Sequence, residues 1–468
     1  MVTMNGEPRR IGIPSAASLV VSNMIGAGIF TTSGFLLDKL HSPLLLLFVW
    51  ALGGLLALAG AASYGELGAS LPGVGGDYVY LRRAYGPLAA FLNGWMAFFA
   101  GFGAPIALTA LGFIQYLTPF APALTTQGQT PLVTFAGLSL TLSPGHLAAI
   151  GAIWGLTLIH YLGIRVSGRL QLMITILNLM LLLAFICAAF SSSSGNWANL
   201  SQGTGNLLPT LGKSLPAVAG SLILVVYAYS GFNAAAYVAG EIDSPARKLP
   251  RALLLGTSTV AVLYLALNVV YVYALPAENL AGRIEVANLA AGALIGPRAA
   301  GFFSLVVAVC VLACTSAMVC ISSRIYYVMA GDGVFFAAAG KLSRRFHTPG
   351  TALALQAAWA SVLVVTGSFV QLLTYCGFML SLFSSLTILG VFVLRRRAPE
   401  LARPYRVWGY PYTPALYLAI MLWMMFYVIV TQPGESLVGM AIVGLGVPAY
   451  YLWRGKNISK EGKVDGSI

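Results

Sequence analysis

Charge is what this chain lacks. Only 8% of its 468 residues are charged, 58% are hydrophobic, and mean hydropathy is +0.84. A soluble globular domain carries about 25% charged residues. Thirteen acidic and 26 basic side chains cannot cover a water-facing surface of this size, which excludes a soluble enzyme, a disordered chain and a coiled coil. The 52 Gly and 23 Pro follow no three-residue period, so a collagen-like fibre is excluded too. Residues 84–164 and 170–212 hold no Asp, Glu, Lys or Arg. No basic face can be built there, so the net charge of +13 does not point to nucleic acid. Cysteine is also scarce. Cys187, Cys310, Cys314, Cys320 and Cys376 all lie in apolar runs, match no zinc or haem spacing, and read as small core residues. No metal-ligand cluster, phosphate loop or nucleophile–base pair stands out. The glycines at 26–28 follow no strand, so they do not make a nucleotide site. The sequence therefore calls for no cofactor and no enzymatic activity. No cleavable signal is expected before the first apolar run, because Met1–Pro14 is short and polar. What remains is an all-α polytopic membrane protein.

About 20 apolar residues cross a bilayer as a helix. Twelve runs qualify, at 15–37, 42–64, 87–117, 144–162, 168–190, 216–239, 250–275, 299–330, 351–368, 370–394, 410–431 and 435–453. The third and eighth exceed one bilayer thickness and should tilt or project. Twenty-two of the 26 bases fall in alternate connections, from Arg9 and Arg10 to Arg454, Lys456, Lys460 and Lys463. The opposite side holds Lys39, Lys213, Arg283 and Arg298. The positive-inside bias thus places both termini in the cytoplasm. The outer connections at 118–143 and 191–212 are rich in Pro, Thr, Ser, Gly and Asn and are expected to be irregular.

Two spans contain helix-weakening residues at mid-depth. The first holds Asn23-Met-Ile-Gly26-Ala27-Gly28, and the sixth holds Tyr227-Ala-Tyr229-Ser230-Gly231-Phe-Asn233. Gly costs up to about 1 kcal/mol in a helix interior. Small residues also let helices pack closely. The spacing adds a second meaning, because five spans separate the two sites and span six crosses in the opposite sense to span one. That is the register of a five-plus-five inverted repeat, with residues 1–191 and 192–398 as the halves and 399–468 as spans eleven, twelve and a basic tail. Unwound backbone at mid-membrane must line a cavity or bind something. Half-helix N-termini suit a carboxylate, and freed carbonyls suit an ammonium group, which together describe an α-amino acid.

These residues resemble the amino acid–polyamine–organocation (APC) superfamily, closest to the L-type amino acid transporter group and its bacterial relatives. The resemblance rests on Ile25-Gly-Ala-Gly-Ile-Phe30, Tyr64-Gly-Glu66-Leu, Tyr229-Ser-Gly-Phe-Asn233 and Gly240-Glu241-Ile-Asp-Ser-Pro245-Ala-Arg247-Lys-Leu-Pro250. It continues through Ser323-Arg324 to Asp332-Gly333, Leu394-Arg-Arg-Arg and Arg403-Pro-Tyr-Arg406. It implies alternating access on discontinuous spans one and six. It implies that the substrate carboxylate meets backbone N–H groups at Gly26, Ala27 and Gly28, and that the ammonium meets carbonyls near Ile25 and near Tyr229 or Ser230. Tyr227 matches the aromatic that closes over the substrate, and Asn233 a polar side chain at the pocket edge, next to Gly231. Many relatives carry a span-five lysine in place of a sodium ion. Asn178 stands there in this chain, and a neutral amide does not replace a cation. Thr315 and Ser316, after Cys314 in span eight, complete a candidate coupling site with Asn178, although such hydroxyls also cap neighbouring carbonyls.

Glu66 and Glu241 sit at the inner ends of spans two and six, as a gate network or as solvated helix ends. His41, His146, His160 and His347 lie near span ends, where histidine is usually structural. Arg395–Arg397 fits topology and anionic lipid contact, and Trp408, Tyr410, Tyr412 and Trp453 fit an aromatic belt. The expected function is amino acid transport across the plasma membrane by alternating access, as an exchanger or facilitator. No Asp or Glu lies deep in any span, which favours a neutral substrate. A sodium- or proton-coupled symporter, a cationic amino acid or polyamine carrier, and a channel or sensor are the alternatives. The expected partners are a small-molecule amino acid substrate and the lipid bilayer; the sequence specifies no accessory subunit.

Overall fold

Proline occupies the first turn of many of the described helices, among them at Pro14, Pro43, Pro87, Pro144, Pro245 and Pro297. Its missing N–H falls where a helix has no acceptor to offer, so each proline fixes a start without losing a bond. Ser42 and Ser143 add side-chain caps, accepting from Leu45 N at 3.4 Å and His146 N at 3.3 Å. The computed structural model describes residues 11–126, 133–135, 138–140, 142–201, 207–366, 369–431 and 433–464. The basic N-terminal pair Arg9 and Arg10 lies outside them.

Each of the twelve expected runs contains helix among the described residues, with breaks in the first and the sixth. Among the described residues, eight helices are long and apolar enough to cross a membrane: Ile13–Leu40, Pro43–Ser70, Pro87–Leu117, Ile164–Ser191, Pro245–Ala274, Pro297–Gly331, Phe378–Arg397 and Tyr412–Thr431. The other four runs lie in Pro144–Tyr161, Leu207–Ala228, Gly350–Thr366 and Pro433–Val464. Spans three and eight, expected to exceed one bilayer thickness, run 31 and 35 residues. A short apolar helix, Val286–Ile295, and an antiparallel hairpin pairing Val133–Phe135 with Leu138–Leu140 sit in connections where no element was expected. The expected sixth run is cut short. Its α-helix ends at Ala228, and a 3-10 segment, Ala234–Glu241, continues the chain.

Spans two and seven pack along each other most extensively, and the first half of span one lies against spans five, seven and eight. The N-terminal segment is pinned beneath span six: Ile11 N donates to Glu241 O at 3.1 Å, and Asp243 N donates to Ile11 O at 3.0 Å. Cys310, Cys314 and Cys320 are buried as expected, but Cys187 is exposed on the outer face of span five. The apolar run of span five continues around that helix, so hydrophobicity alone did not separate its lipid face from its core face. Cys376 lies outside the residues whose side chains are described.

Arg324 corrects the charge map. It is counted among the connection bases by sequence, yet it sits inside span eight, fully buried, with Nε 3.0 Å from Glu241 Oε1. Glu241 is therefore a buried tether between spans six and eight rather than a solvated end. Glu66 is likewise buried. It accepts from Arg395 at 2.8 and 2.7 Å and from the Val407 amide at 2.6 Å. Arg395 also lies 3.6 Å above the Tyr410 ring. That arginine joins spans two and ten instead of facing lipid headgroups. Trp408 and Tyr412 are widely exposed, at 83% and 79%, as an aromatic belt requires.

Candidate substrate site

The helix of span one ends at Met24 and restarts at Gly28. Ile25 leaves helical geometry at φ −77, ψ 80, and Gly26 N turns back to Met24 O at 2.9 Å. A restarted helix presents its first N–H groups without intrahelical acceptors, here at Ala27 and Gly28. The backbone is half-buried over Gly26–Gly28, while the residues on either side are buried.

Span six breaks at the same depth. Gly231 takes φ +100, in the region that favours glycine. A Cβ there would lie 2.5 Å from Asn23 Nδ2 and 3.0 Å from the Asn23 carbonyl oxygen. The two breaks therefore touch, with Asn23 of one against Gly231 of the other. Gly28 makes the second close approach, since a Cβ on it would lie 3.0 Å from the Ala228 Cβ.

The freed carbonyls converge on one phenol. Tyr264, in span seven, places its hydroxyl 2.6 Å from Met24 O and 3.2 Å from Ala228 O, the last residues of the two interrupted helices. Sequence patterning missed this residue, which reads as an ordinary apolar aromatic. Tyr264→Phe removes the one hydroxyl proton the two carbonyls share; Met24 O keeps the Gly26 amide, while Ala228 O loses this donor, at about 1–3 kcal/mol for a group stranded in this way. The expected outcome is a lower thermal midpoint in detergent with the fold retained; an unchanged midpoint would remove the bridge from the account.

A cavity of ≈ 80 Å³ adjoins the breaks. Tyr227, Ser230, Gly231 and Asn233 line it, as does Asn23. Gly26, Ala27 and Gly28 are half-buried and do not themselves line it, and Ile25 is buried. Tyr229 turns away. Its ring is buried against Trp50 and Tyr264, with centroids 5.7 and 5.0 Å off, and its hydroxyl donates to Trp50 O at 3.2 Å. Only its backbone is placed to meet a ligand. Span three adds an element the sequence did not show, a π-helical turn at Ala97–Gly101 that brings Ala97, Gly101 and Phe102 to the cavity. Such turns recur at functional sites, and the Gly101-Phe-Gly103-Ala-Pro105 cluster that follows was the available signal.

The three expected coupling residues are apart from this cavity. Thr315 donates to Val311 O at 2.9 Å and meets Thr109 Oγ1 at 2.8 Å. Ser316 donates to Gln171 Oε1 at 2.9 Å and lies 3.0 Å from His160 Nε2. Asn178 is buried, and its Oδ1 has no hydrogen-bond partner among the described residues. His160 thus serves as an inter-helix strut.

The largest surprise is Asp77. By sequence it belongs to the connection after span two. In the fold it begins a short helix, Asp77–Tyr85, that turns back under the cavity, and its side chain lines the wall at 4% exposure. Tyr64 and Tyr237 donate to its carboxylate, and Asn233 Nδ2 donates at 3.1 Å. Burial raises this carboxyl above the usual range, and the hydrogen bonds from Tyr237, Tyr64 and Asn233 oppose the rise. The expectation that no acid reaches the substrate region is therefore corrected. The spans carry none deep inside, but a folded-back connection supplies one.

A family model described as amino acid permease matches residues 11–448. Asc-type amino acid transporter 1 of Mus musculus is 29% identical over 457 residues, covering 96% of this chain and 82% of that relative. Large neutral amino acids transporter small subunit 2 of Homo sapiens is 29% identical over 449 residues, 95% of this chain and 80% of that relative. The cystine/glutamate transporter of Homo sapiens is 27% identical over 460 residues, 95% of this chain and 85% of that relative.

Proposed function

The chain belongs to the amino acid permease family, and on that premise we propose that it moves an α-amino acid across the plasma membrane by alternating access, as an exchanger or facilitator. It is a permease and not an enzyme. The observation that carries the reading is the pair of touching helix breaks beside a cavity whose polar lining is neutral apart from Asp77. The substrate carboxylate takes the N–H groups at Ala27 and Gly28, with Gly26 giving the turn that exposes them. The ammonium takes the carbonyls released near Ile25 and near Tyr229 and Ser230. Backbone recognition of both charges needs no ionised side chain.

Residues 1–191 and 192–398 form the two inverted halves, with 399–468 appended. Both termini face the cytoplasm, which the distribution of Lys and Arg supports. Asn178, Thr315 and Ser316 stand as the site to mutate for coupling, although the two hydroxyls already have acceptors.

A second reading, a carrier of cationic amino acids, draws on Asp77. A carboxylate at the cavity wall is what a basic side chain would seek. Competition by each of the twenty amino acids against uptake of a labelled neutral one, in proteoliposomes, decides between them. Inhibition confined to neutral amino acids supports the first reading; inhibition led by lysine and arginine supports the second; uptake of none of the twenty sinks both.

Tyr227 is half-buried in the cavity wall. Tyr227→Ala enlarges the space over a bound side chain, so the rank order of competitors should shift towards larger amino acids, by about tenfold for the largest. A single pocket contact of this kind is worth about 1–3 kcal/mol. An unchanged rank order would remove Tyr227 from the pocket.

A further inference from the structure

We propose that Asp77 is a specificity-determining residue whose carboxylate excludes amino acids with anionic side chains. The inference rests on the transport reading above and adds a substrate class to it. Four observations carry it.

The carboxylate borders the cavity at its wall, beside Asn233 and Tyr237. It is held in place by three donors from separate parts of the fold: Tyr64 in span two, Asn233 at the span-six break and Tyr237 in the 3-10 segment. Those donors are all neutral. They fix its direction and oppose, without cancelling, the upward push that burial gives its pKa, and they bring no positive charge. Among the described residues no Lys, Arg or His nitrogen makes a salt bridge with Asp77. The other two buried acids are treated differently, since Glu66 is paired with Arg395 and Arg403 and Glu241 with Arg324.

The rest of the polar wall is uncharged, with Asn23, Asn93, Ser230, Ser381 and Ser384 supplying its amides and hydroxyls. When the Asp77 carboxyl is ionised, the described lining of the cavity carries one negative charge with no cation beside it. A zwitterion held by backbone groups is neutral overall, so the charge of its side chain is what the cavity field discriminates. Two like charges within about 8 Å, at an effective dielectric near 20, repel strongly enough for discrimination of more than tenfold. Glutamine and glutamate have the same shape and differ in this charge, which makes them the probe pair.

The quantity to measure is the ratio of the glutamate to the glutamine concentration that halves uptake of a labelled neutral amino acid in proteoliposomes. The wild-type ratio should exceed ten. Asp77→Asn, which keeps an acceptor for one tyrosine and loses the charge, should bring the ratio to about one. Asp77→Glu should keep it high. A wild-type ratio near one overturns the inference while leaving transport intact, as does a high ratio retained by Asp77→Asn. If Asp77→Asn does not reach the membrane folded, Asp77→Ser, also neutral, takes its place: a ratio near one supports the assignment, and a ratio that stays above ten overturns it. A wild type that takes up none of the twenty amino acids is a different failure and overturns the transport reading first.

Discussion

Gly231→Ala should reduce transport at least a hundredfold while the protein remains folded and in the membrane. The residue sits at φ +100, where a side chain is strained by about 1–3 kcal/mol. The new methyl would also press on Asn23, whose carbonyl oxygen is 3.0 Å from the Cβ position. Backbone cannot swing away as a flexible side chain can. The strain must separate the two breaks, and their contact is what shapes the site. Gly220→Ala, earlier in span six, is the control, because its Cβ would meet only the Tyr427 ring at an ordinary 3.6 Å. Uptake and monodispersity of the two variants, measured side by side, check the claim. Equal uptake would show that the contact between breaks is dispensable.

The second large effect concerns stability. Arg324→Ala should destabilise the protein by about 3–5 kcal/mol, the range for removing one partner of a buried ion pair. Glu241 would be left buried without its cation. The guanidinium also donates to Cys320 O at 2.6 Å and Ser323 Oγ at 3.1 Å, so those contacts are lost as well. Adding Glu241→Gln to that variant should recover part of the loss, because the stranded charge disappears. Thermal unfolding in detergent, compared across the wild type, the single variant and the double variant, tests this. A single variant as stable as the wild type would mean that the pair does not tether span six to span eight.

The parts of this protein that were legible in the sequence are those written in local chemistry. Helical spans follow from apolar length, and the breaks follow from Gly, Ser and Asn placed where a membrane helix tolerates them least. The parts that were hidden depend on chain reversal. Asp77 follows the Gly73–Gly76 turn and stands five and six residues before Arg82 and Arg83, so it reads as part of a wet, charged connection. Only the fold brings it beneath the span-six break. Arg324 was hidden for the opposite reason: hydropathy averages over it, and its partner Glu241 is 83 residues earlier. Tyr264 was invisible because one phenol among apolar neighbours has no pattern, and its role appears only when two carbonyls from distant spans arrive at its hydroxyl. Tyr229 shows the limit of motif reading within the site. Its backbone is at the break, but its ring serves the packing between spans two and seven.

The central claim is that one site between the breaks of spans one and six faces each side of the membrane in turn. Counterflow in proteoliposomes tests it most directly. Vesicles are loaded with unlabelled neutral amino acid, and entry of the labelled form is followed with no sodium or pH gradient. The account predicts saturable entry that is accelerated by the internal amino acid. Entry that rises without saturation and is indifferent to the internal amino acid would contradict it.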